Sequence, residues 1–216
     1  MSTHEDPFVQ TPTNKVFTII KRIKMHFAQV AFPELSLSAL QSKDGVKTSN
    51  CSFRGGRCEF LLTNDEWLRA PFGASAYKDP DATRLNFELD VTNSAILPRL
   101  QELDQWAIEH VIQSGIFEGM TPEQIRQDYS PCLKACEKYN TIRLRTKLNT
   151  KGFGSVKCFK MPDRALVPYN DIDLRNSQLK PVIWLKGIWK QSKQWGLSLE
   201  TVKLLAEEAS STWDFD

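Results

Sequence analysis

The sequence predicts an α+β fold made mostly of strands, with one helical segment inserted among them. Three observations carry this. Apolar and polar residues alternate at 84–90, 141–148, 181–190 and 195–199, the period-two pattern of half-buried strands. Between Ile96 and Val111 the apolar residues recur every three or four positions instead, which is a helical period. The polar face of the later strands is almost entirely cationic: Arg143, Arg145, Lys147, Lys157, Lys160, Lys186, Lys190 and Lys193.

A chain of 216 residues suits one large or two small domains, and one of this size hides about 70% of its unfolded surface on folding. Its 41% hydrophobic and 25% charged content is ordinary for a globular protein. No apolar run approaches the roughly 20 residues that span a bilayer. Residues 1–14 are polar, hold Pro7 and Pro12 and lack the apolar stretch of a signal peptide; they read as a flexible arm. The expected division is that arm, one domain over 15–209 with its helical insertion at about 93–138, and an acidic aromatic tail at 210–216.

Taken in order, 15–20 reads as a strand. Lys21, Arg22, Lys24 and His26 then surround Ile23 and Met25. They are either a second part of a basic surface or lysines guarding an edge strand. Residues 32–37 are extended, 43–45 is a turn, Gly55 and Gly56 form a flexible point between Arg54 and Arg57, and 58–62 is a short strand. Pro71-Phe72-Gly73 must turn or bulge, because proline cannot donate and glycine tolerates positive φ. Leu85, Phe87 and Leu89 form the apolar side of a strand over 84–90.

The helix is expected from about 94 to 113, with Ile96, Leu100, Leu103, Ala107 and Val111 inward and Gly115 as its stop. Thr121-Pro-Glu-Gln124 is a capping box with proline at the first helical position. It starts a short helix that Pro131 must end or kink. From Asp90 to Asp128 there are seven acids and two bases, so this insertion is no place for an anion. At 197–205 two readings stand: a strand with a slip between Leu199 and Val202, or a helix.

The five cysteines, Cys51, Cys58, Cys132, Cys136 and Cys158, are odd in number and follow no secretory signal. This points to free thiols in a reducing, intracellular compartment. Cys132 and Cys136 have no partner pair to complete a zinc site, so neither metal nor cofactor is expected.

Catalytic patterns are scarce. There is no G-x-x-x-x-G-K-[ST] phosphate loop and no G-x-S-x-G elbow. His4, His26 and His110 have no motif around them. Asp90 follows a strand, as metal-binding acids of nucleases do, but no second carboxylate stands at a matching spacing.

The positive signal is for nucleic acid. Residues 138–193 hold thirteen Lys and Arg against three acids, a charge of +10 in a chain whose net charge is +2. Phe153, Phe159, Tyr169, Trp184, Trp189 and Trp195 are interleaved with them. Cations neutralise phosphates, and aromatic faces stack on unpaired bases. Arg143, Arg145, Lys147, Lys157, Lys186, Lys190 and Lys193 are the candidate phosphate contacts; Phe153, Phe159, Trp189 and Trp195 are the candidate stacking residues. A single strand suits the pattern better than a duplex, because the evident helix is acidic and cannot serve as a recognition helix. Trp213, Asp214, Phe215 and Asp216 would form a tail able to occupy the groove or dock on replication proteins. The rivals are a solvated basic face on a structural or scaffolding protein, and a metal-dependent nuclease using Asp90.

Pro71-Phe-Gly-Ala-Ser75, Leu85-Asn-Phe-Glu-Leu89, Leu100…Leu103-Asp104, Tyr129-Ser-Pro131, Arg143-Leu-Arg-Thr-Lys147-Leu and Gly187-Ile-Trp189…Trp195-Gly-Leu197 together resemble a family of small proteins of large nucleocytoplasmic DNA viruses. The plan is also similar to the single-stranded DNA-binding proteins of short-tailed coliphages, although the tail here is shorter and residues before Glu59 are added. The resemblance implies a sequence-nonspecific single-stranded DNA-binding protein of replication, recombination or repair, without enzymatic activity. It also implies an OB-fold-like, five-stranded Greek-key β-barrel, here with N-terminal β elaboration and the helical insertion. RNA and a homo-oligomer are further possible partners under this reading; a membrane is not.

Overall fold

The longest strands are β12 (Ser177–Gln191) and β13 (Gln194–Glu208), and the other strands assemble around this hairpin. Its two-residue turn, Ser192–Lys193, places Ser192 at φ +49°. The structure, a computed structural model, describes residues 25–208 except Tyr77, Lys78 and Pro80. The expected strand at 15–20, the cations Lys21, Arg22 and Lys24, the N-terminal arm and the tail residues Trp213, Asp214, Phe215 and Asp216 lie outside the described residues.

The remaining strands, in chain order, are β1 (Leu35–Leu37), β2 (Gln41–Lys43), β3 (Val46–Phe53), β4 (Gly56–Arg57), β5 (Glu59–Leu61), β6 (Ala74–Ser75) and β7 (Arg84–Asp90), then β8 (Leu133–Cys136), β9 (Thr141–Asn149), β10 (Lys157–Lys160) and β11 (Ala165–Val167). Between β7 and β8 lie two helices, α1 (Leu97–Ser114) and α2 (Pro122–Gln127). Among the described residues the fold is thus mostly β-sheet with two α-helices. All thirteen strands belong to one hydrogen-bonded sheet, whose main path runs β1-β3-β12-β13-β9-β7-β6.

That path does not show closure into the expected five-stranded barrel. Its end strands, β1 and β6, are three and two residues long, and among the described residues no pairing joins them. The hydrogen-bonded sheet is therefore open, and strands such as β5, β8 and β10 attach beside the main path.

Side-chain alternation sets the two faces. In the antiparallel β7–β9 pair, Leu85, Phe87 and Leu89 lie opposite Leu148, Thr146 and Leu144, and all six are buried. The other face pairs Asn86 with Lys147, Glu88 with Arg145 and Asp90 with Arg143. One face thus builds the core and the other carries charge, as period two requires.

The residues at 197–205 form strand, not helix. The slip seen in the sequence is a β-bulge: Val182 pairs with Lys203 and Ile183 with Thr201, which leaves Val202 as the extra residue. A second bulge leaves Lys186 unpaired between Leu185 and Gly187.

The insertion follows its sequence signals. Helix α1 buries Leu100, Leu103, Ala107 and Val111. It ends at Gly115 with φ +61°, the left-handed conformation that glycine adopts without a Cβ penalty. Thr121 caps α2 through the reciprocal Thr121–Gln124 pair. On the N-terminal side, Phe27 stacks on Phe60 at 4.6 Å and the Arg99 guanidinium lies 3.8 Å from the Phe32 ring, so the residues before β1 pack against both the sheet and α1.

The five cysteines are free. Burial pushes the thiols of Cys51, Cys58 and Cys158 up to about 12, so they stay protonated and act as small apolar groups.

Candidate nucleic-acid interface

A groove of about 580 Å³ crosses the charged face. Its walls come from β3, β12, β13, β9 and β7, five strands consecutive in the sheet, together with residues 130–132 where the insertion returns. Four cations line it, Arg84, Arg145, Lys147 and Lys186, against a single acid, Glu88. Trp189 supplies an aromatic wall, and Thr48, Asn50, Asn86 and Ser198 add neutral polar groups.

Each cation is held differently. Lys147 donates to the Asn86 side chain across the strand pair. Burial, then the nearby charges of Arg84 and Arg145, hold its ammonium below the ordinary lysine value. Arg145 donates to the Ser130 hydroxyl at 3.0 Å and to the Pro131 carbonyl, which ties the insertion's return to the groove wall. Lys186, the bulged residue, pairs at 3.3 Å with Glu200; that carboxylate is buried and also accepts from Asn149 at 2.7 Å. Arg84, at the start of β7, is exposed.

Gly187 shapes the opposite wall. Its φ of +144° and its approach to β3 leave no room for a side chain: a Cβ would stand 1.8 Å from the Ser49 carbonyl oxygen. The Trp189 indole covers Gly196, lying 3.4 Å from where a Cβ would be on that residue, so the ring is backed by the neighbouring strand.

Of the residues expected to bind nucleic acid, the groove gathers Arg145, Lys147, Lys186 and Trp189. Trp195 is wholly buried. Its ring nitrogen donates to the Ile125 carbonyl at 2.7 Å, and its ring meets Phe117 edge-on at 5.3 Å and Tyr129 at 4.6 Å. It fastens the helical insertion to the hairpin and offers no face to a base. Phe159 is likewise buried, at 3% exposure.

Arg143 is at 6% exposure, ion-paired with Glu88 and covered by the Phe72 ring at 4.6 Å. Lys190 turns toward the insertion, 2.9 Å from the Met120 sulfur and 4.9 Å from the Phe117 ring. Lys157 and Lys193 are exposed outside the groove, and Phe153 is fully exposed on the β9–β10 connection. Trp184 also lies outside it, with Arg57 3.6 Å and Lys186 4.9 Å from its ring. The Asp90 carboxylate accepts from the Thr92 amide at 3.0 Å and from its hydroxyl at 2.5 Å.

The sequence reading missed Arg84, Asn86, Thr48, Asn50 and Ser198. Arg84 and Asn86 were visible as the polar side of an alternating strand, but their place beside Lys147 depends on β7 pairing with β9, which no local pattern announces.

No protein-family profile and no curated protein matches the chain. Among solved structures it is similar to the single-stranded DNA-binding protein of bacteriophage Enc34 in complex with single-stranded DNA, at 10% identity and TM-score 0.45, over 81% of this chain and 97% of that one. A second structure of the single-stranded DNA-binding protein from bacteriophage Enc34 gives 10% and 0.44, over 84% and 96%. The single-stranded DNA-binding protein gp2.5 of bacteriophage T7 gives 12% and 0.43, over 73% and 96%. Similarity this low decides neither fold nor function, and none of the three bears on large nucleocytoplasmic DNA viruses.

Proposed function

We propose that the protein binds single-stranded DNA, largely without regard to sequence, in the groove that crosses β3, β12, β13, β9 and β7. The observation that supports this is the lining itself: Arg84, Arg145, Lys147 and Lys186 beside the Trp189 indole, with one acid among them. Cations spaced over a sheet face can follow a flexible phosphate backbone, and an indole offers a stacking surface to any base. Binding of this kind needs no bond chemistry. Roles in replication, recombination or repair, a viral origin and docking of replication proteins on residues 213–216 belong to the same proposal.

Fluorescence anisotropy with labelled oligo-dT, its duplex and oligo-U at two salt concentrations tests it. Tight, salt-dependent binding to oligo-dT and much weaker binding to duplex is the expected result; the oligo-U arm separates DNA from RNA preference. Absence of binding to all three at low salt refutes the proposal and leaves the basic face solvated, as a scaffolding protein would have it.

A further inference from the structure

The row of cations on β9 runs on past the groove. On β9, Arg143, Arg145 and Lys147 share one face by alternation, so Arg143 continues the row about 13 Å from Lys147. The Arg143 guanidinium is ion-paired with the Glu88 carboxylate and lies under the Phe72 ring, 4.6 Å from its centre. The Tyr139 ring is next, 6.0 Å from Phe72 at an interplanar angle of 53°. Lys138 sits 5.1 Å from the Tyr139 ring, and Lys134, opposite Arg143 in the β8–β9 pair, is exposed on the same face.

Phe72 and Tyr139 are two of four large hydrophobic side chains exposed among the described residues, at 38% and 53%. A tight turn holds each: the Gly73 amide donates to the Ala70 carbonyl at 2.8 Å, and the Asn140 amide to the Glu137 carbonyl at 3.1 Å. Exposed aromatic rings fixed by turns, touching each other and set among cations, match the chemistry of an unpaired nucleobase and its phosphates. An apolar protein partner would not call for the surrounding Lys134, Lys138 and Arg143.

We propose that Phe72 and Tyr139 form a stacking platform for an unpaired base where a bound single strand leaves the groove beyond Glu88. This rests on the single-strand reading above and adds to it the residues that discriminate against duplex, whose bases are already stacked on one another.

The test uses the full chain, a Phe72→Leu/Tyr139→Leu variant and a ring-keeping Phe72→Tyr/Tyr139→Phe variant, titrated with labelled oligo-dT over a salt series. The leucine variant is expected to lose on the order of tenfold in affinity or more, with an unchanged salt slope because no phosphate contact is removed. The ring-keeping variant is expected to bind as the wild type does. An oligonucleotide carrying 5-iododeoxyuridine, photo-cross-linked to the unmutated protein, is expected to label Tyr139 or Phe72.

Wild-type binding that the leucine variant retains in full overturns the platform and leaves the groove standing. So do cross-links confined to Trp189 with none at positions 72 or 139, and a wild-type dimer that the leucine variant loses, which would assign the rings to a second copy of the chain. A wild type that fails to bind oligo-dT removes the function itself, and the platform with it.

Discussion

Gly187 is where two walls of the groove meet, and no other residue type fits there. With a Cβ 1.8 Å from the Ser49 carbonyl oxygen and φ at +144°, Gly187→Ala must push β12 away from β3 or twist it out of register. Denaturant unfolding is expected to show a loss of about 3 kcal/mol or more, and the groove between Lys186 and Asn50 should lose affinity for a single strand along with it.

Lys147 is costly in a different way. Its ammonium is held below the ordinary value of 10.5 by burial first, then by Arg84 and Arg145. A lysine whose folded value is depressed takes stability away while it is charged, and gives it back as pH rises from the folded value through the unfolded one. A phosphate in the groove would supply the missing counter-charge. Lys147→Gln should therefore melt at or above the wild-type temperature at neutral pH, bind oligo-dT more weakly, and lose its thermal advantage above pH 10.5. A variant that melts lower at neutral pH, with the difference unchanged at high pH, would show that the hydrogen bond to Asn86 outweighs the charge cost.

At the scale of elements, the hairpin of β12 and β13 carries three tryptophans with three different tasks. Trp184 meets Arg57 and Lys186, Trp189 walls the groove, and Trp195 joins the insertion to the sheet. Trp195→Phe keeps most of the packing and deletes the bond to the Ile125 carbonyl. It is expected to cost about 1–2 kcal/mol in stability and to leave single-strand affinity unchanged in buffers where the protein stays folded. Trp189→Ala should do the reverse, weakening binding by about 1–3 kcal/mol with little change in melting. Paired melts and titrations of the two variants check this.

The same hairpin shows what the sequence could and could not disclose. The bulge at Val202 was legible as a slip in alternation, helix α1 as a change of period, and the start of α2 as a capping box, because each is written within a few adjacent residues. Trp195 was misread because burial depends on what packs from elsewhere: Phe117, Ile125 and Tyr129 reach it from the insertion. The surroundings of Arg143 were hidden for the same reason, since Glu88 and Phe72 come to it from other segments. The parallel pairing of β13 with both β9 and β10 likewise leaves no local trace.

Over the whole molecule, the net charge of +2 conceals how unevenly charge is placed. Several cations of the basic segment are already answered by acids: Arg143 by Glu88, Lys160 by Glu208, Lys186 by Glu200. Counting lysines and arginines thus overstates the number free to meet phosphate, and the salt dependence of binding measures the difference. Each phosphate neutralised on a single strand adds about 0.7 to the slope of log affinity against log salt. Arg84 is exposed and lines the groove, so Arg84→Ala should reduce the slope by about 0.7. Arg143→Ala should leave the slope nearly unchanged, because its charge is spent on Glu88. It should still weaken binding, since an unpaired Glu88 carboxylate would then face the strand, and adding Glu88→Gln should recover that loss. If instead Arg143→Ala flattens the slope as much as Arg84→Ala does, the bound strand must break the Arg143–Glu88 pair, and Arg143 would join the cations that neutralise phosphate.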